Sequence, residues 1–408
     1  MSPPPIQDPS TERAASVVAS GEVFTSARAE IRGTDERTLA EQIALTEIEA
    51  PPFGEAARGL LMAELMKRSG LVDIETDAVG NVCGWLAPPG RGDRPVIVSA
   101  HLDTVFPPGT DVRVTRDGDR LLGPGIGDDG RGLAVLLALA RAMSYSGISW
   151  SRSLLFVATV GEEGVGNLRG VRHLFGDGGV GREAAGFVSL DGAGHQSIVN
   201  QAVGSRRYRV SATGPGGHSW ADWGTANPLH ALAGAVAHFG GIELDGDATI
   251  TVGRMGGGTS INAIPEKAWL EMEVRSLSEE RLESLDQTVR EQLARAVEDE
   301  NTKRLHGSAA MGLEIEDLGQ RPGGTTSPDE ALVRAAVAAT SGLGYAPELV
   351  ASSTDANVPM ALGIPSITLG AGGVMGRMHT LDEWYENSQG VLGVERALLT
   401  LMLLDTLS

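Results

Sequence analysis

Three apolar runs of this chain end on side chains that bind cations or protons, and a glycine-rich loop among them carries two more. Pro95-Val96-Ile97-Val98 leads into Ser99-Ala100-His101-Leu102-Asp103. Leu154–Val160 leads into Gly161-Glu162-Glu163-Gly164, and Phe187–Leu190 ends on Asp191-Gly192. Their β-branched and aliphatic composition predicts buried strands. Charged groups at the ends of such strands are costly unless a metal or a proton neutralises them. In open α/β sheets, sites form at the carboxyl ends of the strands. The recurrence predicts an α/β domain with a mostly parallel central sheet whose strand ends converge.

His101 and Asp103 lie two residues apart, so on an extended backbone their side chains share a face. One imidazole nitrogen can take a metal while the other needs an acceptor that fixes the tautomer. Alone, the pair reads more readily as a strand-end histidine beside a solvated aspartate. Leu121–Gly132 looks at first like a phosphate loop, but Asp128-Asp129 stands where Gly-Lys-Ser/Thr is required. Two carboxylates repel a phosphate and suit a cation. A helix N-cap explains one of the two but not both. Glu162 and Glu163 point opposite ways in an extended chain, so one can hold metal while the other faces an open site.

Composition narrows the classes. A chain of 408 residues exceeds one ordinary core, so two domains are expected. The net charge of −20 argues against nucleic acid or an anionic membrane as a partner. No run reaches the roughly 18 apolar residues of a membrane span. Cys83 is the only cysteine, which excludes an intrachain disulfide and a thiolate zinc site. Any metal must then sit on histidine and carboxylate. Met1–Arg13 is polar and proline-rich, lacks the apolar core of a signal peptide, and reads as a loose tail. A cytoplasmic protein is expected.

Helical periodicity covers Ala14–Ile48, with Pro51-Pro52 as the stop, and then Glu55–Arg68. Asp73–Leu86 and Pro95–Ala100 read as strands around a turn at Pro88-Pro89-Gly90. From Arg206 the pattern changes. Arg207–Ala212, Asn227–Phe239, Thr249–Met255, Ala268–Arg275, Glu279–Val297 and Met311–Asp317 follow as β-α-β-β-α-β, the order of a ferredoxin-like unit. This predicts a first domain over 1–205 and 322–408, with 206–321 inserted as an α+β lid or dimerisation domain. A helix over Asp329–Ser341, a return to sheet over Ala361–Leu369 and a helix over Gln389–Leu404 complete the chain.

In combination, five segments resemble the M20 family of metallopeptidases and amidohydrolases. They are Ser99–Val105, Gly123–Asp129, Gly161–Gly164, Gly214-Pro215-Gly216-Gly217-His218-Ser219 and Met378-His379-Thr380, in the family's order. The resemblance runs from about residue 38 onward. Two positions depart from it: Gly130-Arg131 stands where the family usually has Lys-Gly, and Gly127 is unusual. The resemblance implies a dizinc enzyme, with cobalt or manganese also accepted by such ligands. Asp128 would bridge both ions, His101 and Asp191 would complete one site, and Glu163 and His379 the other. Asp103 would orient His101, and Glu162 would be the general base. His218 would stabilise the oxyanion, and Asn262 and Arg275 would hold polar groups of the substrate. For these three the residues alone also allow a surface histidine, a loop cap and a solvated strand face. Asp129 is expected to be a loop residue. His173, His195, His230, His238 and His306 match nothing and read as structural or exposed.

Ser189–Gly194 and Met378–Trp384 look most like the tripeptide aminopeptidase (peptidase T-like) branch. The expected substrate is a small peptide, with a carboxypeptidase or an N-acyl-amino-acid amidohydrolase as the alternative and a homodimer through the inserted domain. A non-catalytic, metal-stabilised binding protein is the alternative from another class.

Overall fold

The computed structural model describes residues 9–87, 94–244, 246–305 and 307–407. The turn expected at Pro88-Pro89-Gly90, the first eight residues of the expected tail and His306 lie outside the described residues. Packing divides the chain into two compact units, one ending at Ala202 and resuming at Gly324, the other spanning Val203–Gly323.

The first unit is built on a nine-stranded sheet. Its centre is four neighbouring parallel strands, in the order Leu154–Thr159, Val96–His101, Gly186–Leu190 and Ser366–Leu369. Both Val96–His101 and Leu154–Thr159 are buried at every position, as strands covered on two faces must be. Flanking strands Val72–Thr76, Val82–Ala87, Ser197–Ala202 and Gly324–Thr325 join antiparallel, and Glu348–Ser352 pairs parallel with Ser197–Ala202. The helix Gly130–Ser146 is buried from Gly130 to Met143 and shares one core with the helices Ala331–Gly342 and Val391–Leu407. All four central strands run the same way, so their carboxyl ends open on one edge.

Several expectations need correction here. The N-terminal helical stretch is three helices, Pro9–Ser20, Glu22–Gly33 and Asp35–Thr46, separated at Gly21 and Thr34. Residues 9–13 therefore belong to a helix and not to a tail. Burial of Ala15, Phe24, Ala27 and Ile31 holds that hairpin-like array on the core, and Arg28 and Arg32 both reach the fully buried Glu395. The last of these helices stops at Thr46, before the prolines act. Asn357–Ala361 is helical, so the return to sheet starts only at Ser366. The strands Ser197–Ala202 and Glu348–Ser352 carry no continuous apolar run to mark them, and the four strands of a small further sheet, three residues each, are too short to show a period.

In the second unit the antiparallel sheet runs Ala248–Gly257, Lys267–Ser276, Gly204–Thr213, Gly312–Arg321. With the helices Pro228–Phe239 and Glu279–Thr302 this is the ferredoxin-like arrangement. Ala268, Leu270, Met272 and Val274 alternate inward from the strand Lys267–Ser276 onto Leu232, Leu282 and Leu293. No helix among the described residues is long and apolar enough to cross a membrane.

Close packing sets one quantitative expectation. A Cβ at Gly393 would lie 2.2 Å from the backbone carbon and oxygen of Ala371. Backbone cannot yield as a side chain can, so Gly393→Ala should destabilise the chain by about 1–3 kcal/mol. An unchanged melting temperature would contradict that packing.

Candidate metal centre

His101 closes its strand, and its backbone N–H donates to Asp129 Oδ2 at 2.9 Å. Its ring Nδ1 lies 2.9 Å from the carbonyl oxygen of Asp103. A carbonyl can only accept, so Nδ1 carries the proton and the Nε2 lone pair points the other way. That lone pair faces Asp128 Oδ1 at 2.9 Å. The second oxygen of Asp128 lies 3.0 Å from Nε2 of His379, which is also 3.0 Å from Glu163 Oε1. One carboxylate thus spans two imidazoles, and on the His101 side two acceptors face each other across the gap. A proton or a cation between them is what such an arrangement requires.

Donor atoms of His101, Asp128 and Glu163 lie within 4.8 Å of one another, as do those of His101, Asp129 and Asp191. Burial, reinforced by the charges of their acidic neighbours, holds Asp129 and Asp191 well above the usual carboxylate range. Burial opposes ionisation of Asp128 too, but the bonds from His101 and His379 outweigh it and lower its carboxyl. Those same bonds from Asp128 and Glu163 raise His379 to about 10. Carboxylates in this density, beside the buried His101 and the half-exposed His379, fit divalent cations, which neutralise them.

Asp103 acts differently from expectation. Its Oδ1 lies 3.8 Å from His101 Nδ1, too far for a hydrogen bond. It is the Asp103 main-chain carbonyl that orients His101. The buried carboxylate accepts from the backbone N–H groups of Glu162 at 2.9 Å and Glu163 at 2.8 Å. Asp103 therefore braces the turn that aims both glutamates. Glu162 itself is buried, and its charge adds to burial in raising Asp103 to about 6 and Asp355 to about 7.

Asp129 is a helix cap and not merely a loop residue: its Oδ1 accepts from Gly132 N at 3.0 Å. The peptide bond between Asp128 and Asp129 is cis. Both departures from the family pattern have local causes. A Cβ at Gly127 would meet the Met375 side chain, 2.7 Å from its Cε. One at Gly130 would meet Thr46 Oγ1 at 2.4 Å, so a lysine does not fit there. Arg131 carries the cation instead, fully buried, with Nε on the carbonyl of Ala371 and a second nitrogen on that of Gly390.

Two buried acids escaped the sequence reading. Glu383 accepts from the N–H groups of Gly125, Gly127 and Asp128. Asp355 shares a 2.5 Å hydrogen bond with Thr159 Oγ1. Neither ends an apolar run; only the spacing of Glu383, four residues after His379, was visible. Asp355 has a measurable consequence. Its carboxyl stands at about 7 in the fold against 3.8 as the ordinary value, through burial first and the Glu162 charge second. Between 3.8 and about 7 the folded chain keeps a proton that the unfolded chain has lost, so stability falls as the pH rises across that window and levels off above it. Asp355→Asn should melt above the native chain at pH 8, with the gap closing towards pH 5. An equal gap at both pH values would contradict this.

His218, Asn262 and Arg275 belong to the second unit. Gly217–His218 pairs antiparallel with Ala263–Ile264, and the carbonyl of Asn262 accepts from Ser219 N at 3.0 Å, so these two loops are brought together. His218 is exposed, and its Nδ1 accepts from Trp220 N and Ala221 N at 3.2 and 3.3 Å. The neutral ring then carries its proton on Nε2, as an outward donor. Arg275 is not part of that cluster. It lies eight residues along its strand from Lys267, roughly 26 Å at strand rise, and is paired with Glu273 at 2.8 Å. Of the unmatched histidines, His173, His230 and His238 are exposed, and His195 meets the Tyr345 ring edge-on, with ring centroids 4.1 Å apart.

An α/β sheet with this donor set at its strand ends defines a hydrolase of the metallopeptidase and amidohydrolase class. Residues 97–403 match the model of the peptidase family M20/M25/M40, and the chain belongs to that family. It is 26% identical over 329 residues to the uncharacterized protein YqjE of Bacillus subtilis (strain 168), covering 78% of this chain and 83% of that protein. Its fold is similar to the aminopeptidase PepT from Bacillus cereus ATCC 10987, at a TM-score of 0.72 and 22% identity, covering 90% of this chain and 98% of the other. It is also similar to the YXEP protein of Bacillus subtilis, a dinuclear metal binding peptidase from the M20 family, at a TM-score of 0.66 and 16% identity, covering 92% and 99%.

Proposed function

We propose that the protein is a dizinc hydrolase that cleaves a peptide bond of a small peptide as an aminopeptidase. The observation that carries this reading is the Asp128 carboxylate, whose two oxygens each face a different imidazole. His101 and Asp191 would hold one cation, Glu163 and His379 the other, and Asp128 would serve both. When bound, a pair of divalent cations polarises a carbonyl and acidifies water. Glu162 takes the water's proton on its carboxylate and passes it to the nitrogen of the leaving amine. By the family resemblance, the Nε2–H of His218 would donate to the developing oxyanion. Asn262, beside it, holds a polar group of the substrate; Arg275 does so only by exchanging Glu273 for a substrate carboxylate.

The similarity to PepT favours a free amino terminus in the substrate. Hydrolysis of unblocked tripeptides, measured against their N-acylated forms with Zn2+, Co2+ or Mn2+ restored, tests the reading. Cleavage of the blocked set alone would replace the aminopeptidase by an amidohydrolase. We further propose a cytoplasmic homodimer through the second unit. In its support, the strand Ala248–Gly257 is an edge of its sheet, with alternating exposed residues that a second copy could pair. Sedimentation of a single-chain mass at micromolar concentration would remove the dimer.

A further inference from the structure

We propose that Glu383 is a positioning residue that registers the two segments bearing Asp128 and His379. This inference rests on the hydrolase reading above. Glu383 is fully buried, and its carboxylate accepts from three backbone N–H groups. Its Oε2 accepts from Gly125 N at 3.1 Å, and its Oε1 from Gly127 N at 2.8 Å and Asp128 N at 3.0 Å. Its own backbone carbonyl accepts from Gly123 N at 3.0 Å. One residue thus holds the whole turn from Gly123 to Asp128 from both its main chain and its side chain.

The other side of the clamp is the His379 segment. Glu383 N donates to the carbonyl of Thr380 at 3.1 Å, and Thr380 N to that of Arg377 at 3.1 Å. The strand that follows, Trp384–Glu386, pairs in register with Arg120–Leu122. Asp128 and His379 are remote in sequence, yet their side chains meet at 3.0 Å. Glu383 is the connection that fixes this distance. A carboxylate suits the task because it offers two acceptor oxygens and no donor. Glutamine would turn an NH2 group towards one of the three N–H donors and push the turn away. Partners that orient ligands in this way are typically worth about 10- to 100-fold in metal affinity.

Zn2+ binding to the metal-free full chain, by competition with a chromophoric chelator, tests this with Glu383→Gln and with Glu383→Asp. The second variant keeps the charge but shortens its reach by one carbon–carbon bond, and serves where the first does not fold. The expected result is Zn2+ affinity lowered about 10- to 100-fold in the folded variants, whatever the accompanying change in the melting temperature of the metal-free protein. Affinity within twofold of native in the folded variants overturns the proposal. So does a lower melting temperature of the metal-free protein with native Zn2+ affinity, which is the signature of a purely structural role. A native chain that binds no Zn2+ overturns the hydrolase reading along with it, whereas native binding with unaffected variants removes only this inference.

Discussion

Asp128→Asn is expected to leave a folded protein that no longer retains its cations. The aspartate presents one oxygen to His101 Nε2 at 2.9 Å and the other to His379 Nε2 at 3.0 Å. An asparagine of the same shape keeps one acceptor and turns an NH2 donor to the other imidazole, whose lone pair it then occupies. Both proposed cation positions lose a ligand in one substitution. The charge stabilisation that the pair supplies is about 4 kcal/mol, on the order of 10³-fold in turnover. Elemental analysis after dialysis should show the zinc content of the purified variant falling with its activity. Native zinc content together with native turnover would remove Asp128 from the centre and the proposed mechanism with it.

Glu162→Gln should separate binding from chemistry. Glu162 lies beside the cluster but is given no cation to hold, so the variant should keep its zinc. It cannot accept a proton, and loss of a general base typically costs about 10²- to 10⁴-fold in rate. The loss should fall on kcat, with KM within a few-fold of native, because the ground-state contacts remain. A variant within tenfold of native kcat would assign the proton transfer elsewhere. Zinc loss of the kind expected for Asp128→Asn would mean that Glu162 is a ligand.

Much of the centre was legible because the chemistry sits next to strong periodic signals. His101, Glu162, Glu163 and Asp191 each follow an apolar strand, and adjacency along the chain is also adjacency in space. His379 had no such strand before it and was reached only through the resemblance of its motif. Glu383 and Asp355 were missed because their partners, the Gly125–Asp128 backbone and Thr159, are remote in sequence. The role of Asp103 was misread for a related reason. Residue spacing says that its side chain shares a face with His101, but not that the carboxylate goes to two glutamate amides while the carbonyl takes the ring.

The central strands of the first unit, its long buried helices, the ferredoxin-like pattern of the second unit and the residues at the strand ends followed from periodicity and side-chain type alone. Those are local properties, set by 2.0- and 3.6-residue repeats that any short window displays. Three things came only from the folded chain: which oxygen of Asp128 meets which imidazole, the Nε2–H tautomer of His218, and the breaks at Gly21 and Thr34. The first joins groups remote in sequence; the other two lie within short windows but turn on hydrogen-bond geometry, decided at the scale of a few tenths of an ångström, which residue type does not specify.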